Sequence, residues 1–195
     1  MDAETTPVLR GERVVLRPVA EADVPRLAAI LREPEVAAWW GDYSPERAWA
    51  ELLEDPGWAI EVDGVAVGWL TATEEEEPDY RHVGFDIFLA TGVHGRGLGR
   101  EALALAVGHL VALGHHRFTI DPALANERAI RSYAAVGFRP VGVMRAYERG
   151  RDGAWHDNLL MDLLAEELDP PSRSPAEGEE GDSSGPPGIG GAQVR

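Results

Sequence analysis

One run limits what this chain can fold into: Val93-His94-Gly95-Arg96-Gly97-Leu98-Gly99-Arg100-Glu101-Ala102, a glycine-rich turn opening directly into an alanine- and leucine-rich helix. Glycines at such a junction permit positive φ and close approach by a ligand. The first-turn amides of a helix lack internal partners, and the macrodipole adds about half a positive charge there. The run is therefore a candidate phosphate or pyrophosphate site. A Walker A loop requires Lys and Ser/Thr after its last glycine, whereas Leu98 follows Gly97. Residues 97–102 do fit G-x-G-x-x-A, with Asp121 near the position of a ribose-binding acid. In a dinucleotide fold, however, that fingerprint directly follows its strand, and here the spacer 91–96 intervenes.

The order of the flanking elements decides between these options. Val14 and Leu16 mark a first strand after a loose lead-in (1–11). A helix at 21–32 follows and ends at Pro34, and Ser44-Pro45 opens a second that runs to about Glu54. Asp63-Gly64 between alternating apolar runs predicts a hairpin. An acidic insertion, Glu74-Glu75-Glu76-Glu77-Pro78-Asp79, precedes a strand at 80–90 with Phe85, Ile87 and Leu89 on one side and Gly84, Asp86 and Phe88 on the other. Next come a helix at 97–113, a short strand at 117–120, a helix at 126–136 and a closing hairpin at 139–163. The repeated parallel βαβ units of a dinucleotide fold are missing upstream of the turn.

Composition narrows the chemistry. The chain has no Cys, which excludes disulfides, zinc–thiolate sites and a catalytic thiol. A net charge of −16 argues against nucleic acid and is compatible with a cationic substrate. No signal peptide and no membrane-length apolar run is visible, so a soluble cytoplasmic protein without membrane association is expected. His115-His116 lacks further ligands at metal spacing, and no metal is expected. From residue 169 the chain turns to Pro, Gly, Ser and Glu without apolar period, the signature of a disordered tail (169–195) following a single domain (1–168).

The turn at 95–99, the 121–137 segment and the strand order together resemble the GNAT superfamily of acetyl-CoA-dependent N-acetyltransferases, over roughly 14–164. Within it the sequence looks most like the aminoglycoside 6′-N-acetyltransferases, on the strength of Trp39-Trp40-Gly41, the acidic 74–79 loop, Asp86, Asp121-Pro122 and the run from Asn126 to Tyr133. His94 departs from the Gln or Arg usual at that position, which leaves the main-chain phosphate donors intact.

The resemblance implies an α+β fold: a central, mixed, mostly antiparallel twisted sheet of about seven strands, flanked by four helices and splayed between the fourth and fifth strands. It implies acetyl-CoA as cosubstrate, held by His94, Gly95, Arg96, Gly97, Leu98, Gly99 and Arg100, by main-chain pairing near Leu89 and Ala90, and by Asn126 and Tyr133. It implies Asp86 as acceptor of the amine's proton and Tyr133, two helical turns after Asn126, as the acid for the leaving thiolate. Asn126 as a plain helix cap and Tyr133 as a packing residue are the structural alternatives. Trp39, Trp40, Asp42, Glu76, Glu77, Asp79, Asp86, Asp121 and Asp157 are the expected substrate contacts. The expected partner is a cationic small-molecule amine, with a homodimer as one option. Another amine substrate, or a non-catalytic acyl-CoA sensor, remain the competing readings.

Overall fold

The computed structural model describes residues 6–54 and 57–168; the expected tail lies outside them. One eight-stranded sheet runs β1 (Leu9–Arg10), β2 (Val15–Pro18), β3 (Gly57–Val62), β4 (Val65–Glu75), β5 (His82–Leu89), β6 (Arg117–Ile120), β8 (Trp155–Leu164) and β7 (Arg139–Arg149). All neighbours are antiparallel except β5 and β6. That parallel pair touches only at Val83–Phe118 and Gly84–Thr119, after which the strands part. This is the expected splay.

The Asp-Gly hairpin forms between β3 and β4, with Asp63 at φ 50° and Gly64 at φ 78°, the double positive φ of a type I′ turn. Alternation then sorts side chains onto two cores. Val83 and Phe85 join Trp58, Phe118, Phe138 and the buried stripe of α4 (Leu98–Ala112) on one face. Trp69, Phe88 and Ala90 pack on the other, beneath α1 (Val24–Leu31), α2 (Pro34–Trp40) and α3 (Pro45–Glu54). The helix α5 (Glu127–Ala134) and the short α6 (Ala165–Leu168) complete the fold.

Two sequence expectations need adjustment. Six helices form instead of four, in part because Pro34 both stops one helix and starts the next, at the first-turn position where a missing N–H costs nothing. The eighth strand comes from the lead-in: Leu9 and Arg10 pair with Leu16 and Val15, and Trp58 Nε1 donates to Pro7 O at 2.9 Å. Two residues are too few to show a period.

α5 ends in a Schellman turn. Phe138 N donates to Tyr133 O (3.2 Å) and Gly137 N to Ala134 O (3.1 Å), with Gly137 at φ 124°. A Cβ at Gly137 would also stand 3.2 Å from Leu163 Cδ1 in the core. Gly137→Ala is therefore expected to destabilise the domain by about 1–3 kcal/mol, read as a lower urea midpoint with an unchanged slope.

Candidate active site

The gap between β5 and β6 opens into a cavity of about 1030 Å³, whose wall includes residues from the glycine turn, β5, α2, α5 and the β7–β8 hairpin. At one end lies the turn. Gly95 (φ 73°) and Gly97 (φ 78°) take left-handed conformations, and a Cβ at Gly95 would meet nothing within 4 Å. At Gly99 a Cβ would press within 2.9 Å of Leu89 Cδ1, so glycine there lets α4 start tight against β5. The turn is braced from β2's side of the sheet. Arg13 N and Nε donate to the two oxygens of Glu101 (2.7 and 2.8 Å), and Arg13 Nη1 donates to Arg96 O (2.8 Å). Burial opposes ionisation of Glu101, but donors from Arg13 and Val14 outweigh it and hold the carboxyl below its usual range.

Along β5 the ladder alternates. Ala90 N donates to Val67 O (2.8 Å), which fixes Ala90, Phe88 and Asp86 as the residues whose main-chain groups face β4. Ile87 and Leu89 then turn theirs toward the gap. Ala90 is thus unable to pair with a ligand lying in the gap, and Leu89 is joined by Ile87 instead. Leu89 O already accepts from His94 Nε2 at 2.8 Å. The other nitrogen of His94, Nδ1, lies 3.8 Å from Glu35, which in turn stands 3.7 Å from Arg128.

Asp86 sits opposite Thr71 and is exposed at the cavity wall. Asn126 caps α5 by accepting from Ala129 N (3.1 Å), so the capping reading holds and its amide nitrogen is what it can offer a ligand. Tyr133, on the same helix face, packs partly against the first core and lines the cavity. Burial, reinforced by the charges of Asp86 and Asp121, pushes its phenol far above the ordinary value. The hydroxyl therefore stays protonated at neutral pH.

The far end is acidic and aromatic. Trp40 meets Phe88 edge-on (5.2 Å between centroids, 78°), and Trp39 beside it completes the wall. Asn158 is 3 % exposed; its Nδ2 donates to Asp121 O (2.9 Å) and stands 3.3 Å from Glu148 Oε2, while its Oδ1 has no partner. Desolvation raises the Asp121 pKa; the hydrogen bond from Asn158 opposes that rise and the nearby Glu148 charge adds to it.

The structure does not bring every expected residue to the cavity wall. β4 and β5 run four residues beyond the Thr71–Asp86 pair, carrying Glu76, Glu77 and Asp79 roughly 13 Å of strand away. Asp42 is paired with Arg151 at 2.6 Å. Asp157 Oδ1 accepts from Ala146 N (2.8 Å), stabilising a β7 bulge with Ala146 at φ 48°. That bulge re-aims the strand, and Tyr147 and Glu148 beyond it line the cavity. Neither was picked out from sequence, and nor were Arg13, Glu35, Arg128 or Asn158.

Residues 13–139 match the family model described as an acetyltransferase (GNAT) domain. The chain belongs to the GNAT acetyltransferase family. It is 30 % identical over 165 residues to a phosphinothricin N-acetyltransferase of Streptomyces coelicolor, covering 75 % of this chain and 96 % of that one. Among solved structures, Mycobacterium smegmatis RimJ in complex with CoA-disulfide matches at TM-score 0.73 and 26 % identity, over 84 % of this chain and 90 % of the other. The aminoglycoside acetyltransferase AAC(6′)-Ib, in complex with ribostamycin and coenzyme A, matches at TM-score 0.68 and 24 % identity, over 85 % and 100 %. The last likeness speaks for the fold alone. Among the described residues no helix is long and apolar enough to cross a membrane.

Proposed function

We propose that this GNAT enzyme transfers the acetyl group of acetyl-CoA to an amine of a cationic small molecule, with the 6′-amine of an aminoglycoside as the favoured acceptor. The observation that carries the acceptor class is the far end of the cavity. Asp86, Asp121 and Glu148 converge there with the buried, unpartnered Asn158 Oδ1, beside the Trp39–Trp40 wall. Four acceptors and an aromatic face suit a sugar that bears several ammonium groups. The open glycine turn suits a diphosphate, and the outward main-chain groups of Ile87 and Leu89 suit an extended amide arm.

Acetyl-CoA supplies an activated thioester. Asp86 binds the incoming ammonium and takes its proton, directly or through one water, freeing the amine for attack. As the C–N bond forms and the C–S bond breaks, the Tyr133 hydroxyl gives its proton to the departing sulfur. Asp121, Glu148 and Asn158 hold the other ammonium groups and orient the acceptor.

The relative named for phosphinothricin motivates a second reading, a small amino-acid-like amine. Such an anionic acceptor needs a cation at this end. Arg47 lines the cavity, but it is bonded to Glu51 (2.7 Å) and stacked over Tyr43. Thiol release from acetyl-CoA, measured with aminoglycosides, linear polyamines and amino acids, separates these readings. The expected result is the highest kcat/KM with a kanamycin-type aminoglycoside. Turnover only with phosphinothricin would reverse the order of the two readings. Acetyl-CoA binding without turnover of any amine would leave a sensor.

A further inference from the structure

Resting on the acceptor reading above, we infer that Glu51 sets the charge specificity of the far end of the cavity: it cancels the charge of Arg47 and so keeps out amines that also carry a carboxylate. The two residues stand one turn apart on α3, and both line the cavity together with Tyr43. Both oxygens of Glu51 are engaged. Oε1 accepts from Arg47 Nε at 2.7 Å, and Oε2 accepts from the Tyr43 hydroxyl at 2.6 Å. Although it is a carboxylate in the cavity wall, Glu51 therefore has little left to offer an acceptor's ammonium. Its partner has more to offer. Among the described residues Arg47 Nη1 makes no hydrogen bond, and Nη2 has only a long contact of 3.4 Å to the Tyr43 hydroxyl.

Tyr43 holds the guanidinium independently of Glu51. Arg47 Cζ lies 4.1 Å from the centroid of the Tyr43 ring, a cation–π geometry. That ring packs against the second core and tilts onto Trp40 with centroids 6.3 Å apart. Trp40 in turn meets Phe88 on β5, which sets the cluster beside the strand that carries Asp86. Burial raises the Tyr43 phenol, and the charges of Glu51 and Asp86 add to that rise. The cations of α5 that reach the wall, Arg128 and Arg131, have the acidic partners Glu35 and Glu127, whereas Arg96 and Arg100 belong to the glycine turn. Arg47 is thus the cation that one substitution unmasks at the acceptor end. On an ordinary helix surface an i,i+4 Arg–Glu pair contributes little to stability. Here it decides the sign of the wall. Without the Glu51 charge, a fork already placed by the Tyr43 ring has nitrogens ready for a carboxylate.

The test is thiol release from acetyl-CoA by the full chain with two pairs of acceptors: kanamycin against phosphinothricin, and cadaverine against lysine, which differs from it by one carboxylate. Glu51→Gln keeps the helix propensity and the hydrogen bond to Tyr43, so the variant is expected to fold. It should raise kcat/KM for phosphinothricin over kanamycin, and for lysine over cadaverine, about tenfold or more, as one charge-assisted bond implies. The gain should lie in KM. Adding Arg47→Gln to that variant should return both ratios to their wild-type values. A merely structural Glu51 would lower all four rates together and leave the ratios in place. Calorimetric titration with phosphinothricin gives the same comparison without turnover, with tighter binding in Glu51→Gln that the added Arg47→Gln abolishes. Ratios and affinity unchanged in Glu51→Gln, or still raised in the double variant, would overturn the inference and leave the acceptor reading standing. A wild type that already favours phosphinothricin and lysine would remove both.

Discussion

Asp86→Asn is expected to lower kcat by about a hundredfold or more, the usual range for losing a positioned base. The substitution keeps shape and polarity but cannot hold a proton taken from an ammonium. Asp86 stands mid-strand, where Asp is disfavoured, and is exposed at the cavity wall rather than buried in a core. Tyr43, Tyr133 and Tyr147 line the same cavity, and the charge of Asp86 adds to the upward shift of each phenol. The amide of Asn cannot accept the ammonium proton, so the chemical step should slow while acetyl-CoA affinity changes less than about threefold, because the diphosphate turn lies at the other end of the cavity. A mutant that keeps the wild-type kcat takes the base role away from Asp86.

The sequence made the local features of this site readable and left the tertiary ones hidden. The alternation along 80–90 put Asp86 on the face away from Phe85 and Ile87, and the structure has it there because pleating leaves a strand no other choice. The seven-residue step from Asn126 to Tyr133 likewise fixed a shared helix face. What composition suggested about carboxylates was less dependable. The acidic loop stands at the tip of a hairpin whose length carries it past the cavity, and strand length was not evident from the charge run. Asp157 and Glu148 belong to one hairpin, yet the bulge at Ala146 gives the first a structural bond and the second a place on the cavity wall. No period in the sequence announces a bulge without glycine. Arg13 escaped notice for a similar reason: it is an ordinary strand-flanking charge until β2 comes to lie beside the first turn of α4.

Tyr133→Phe should slow the chemical step by about a hundredfold while leaving fold and cosubstrate binding nearly unchanged. The ring packs against the first core, and Phe preserves that packing. Among the described residues nothing hydrogen-bonds the hydroxyl, so its removal strands no partner and should cost less than about 1 kcal/mol of stability. Kinetics therefore report chemistry here, undisturbed by folding. The raised phenol pKa adds a signed prediction. A general acid works while protonated, and burial together with Asp86 and Asp121 keeps this one protonated beyond the normal phenol range. Wild-type kcat should accordingly show no alkaline fall from Tyr133 up to about pH 10. Replacing Asp121 by Asn removes one of those two charges and should bring the phenol's titration down toward its ordinary value. Single-turnover rates with acetyl-CoA isolate the step from product release. In Tyr133→Phe the rate should depend on the acidity of the leaving thiol, because the sulfur must then depart unprotonated. Wild-type single-turnover rates in Tyr133→Phe would reduce the residue to a packing role and leave the thiolate to solvent.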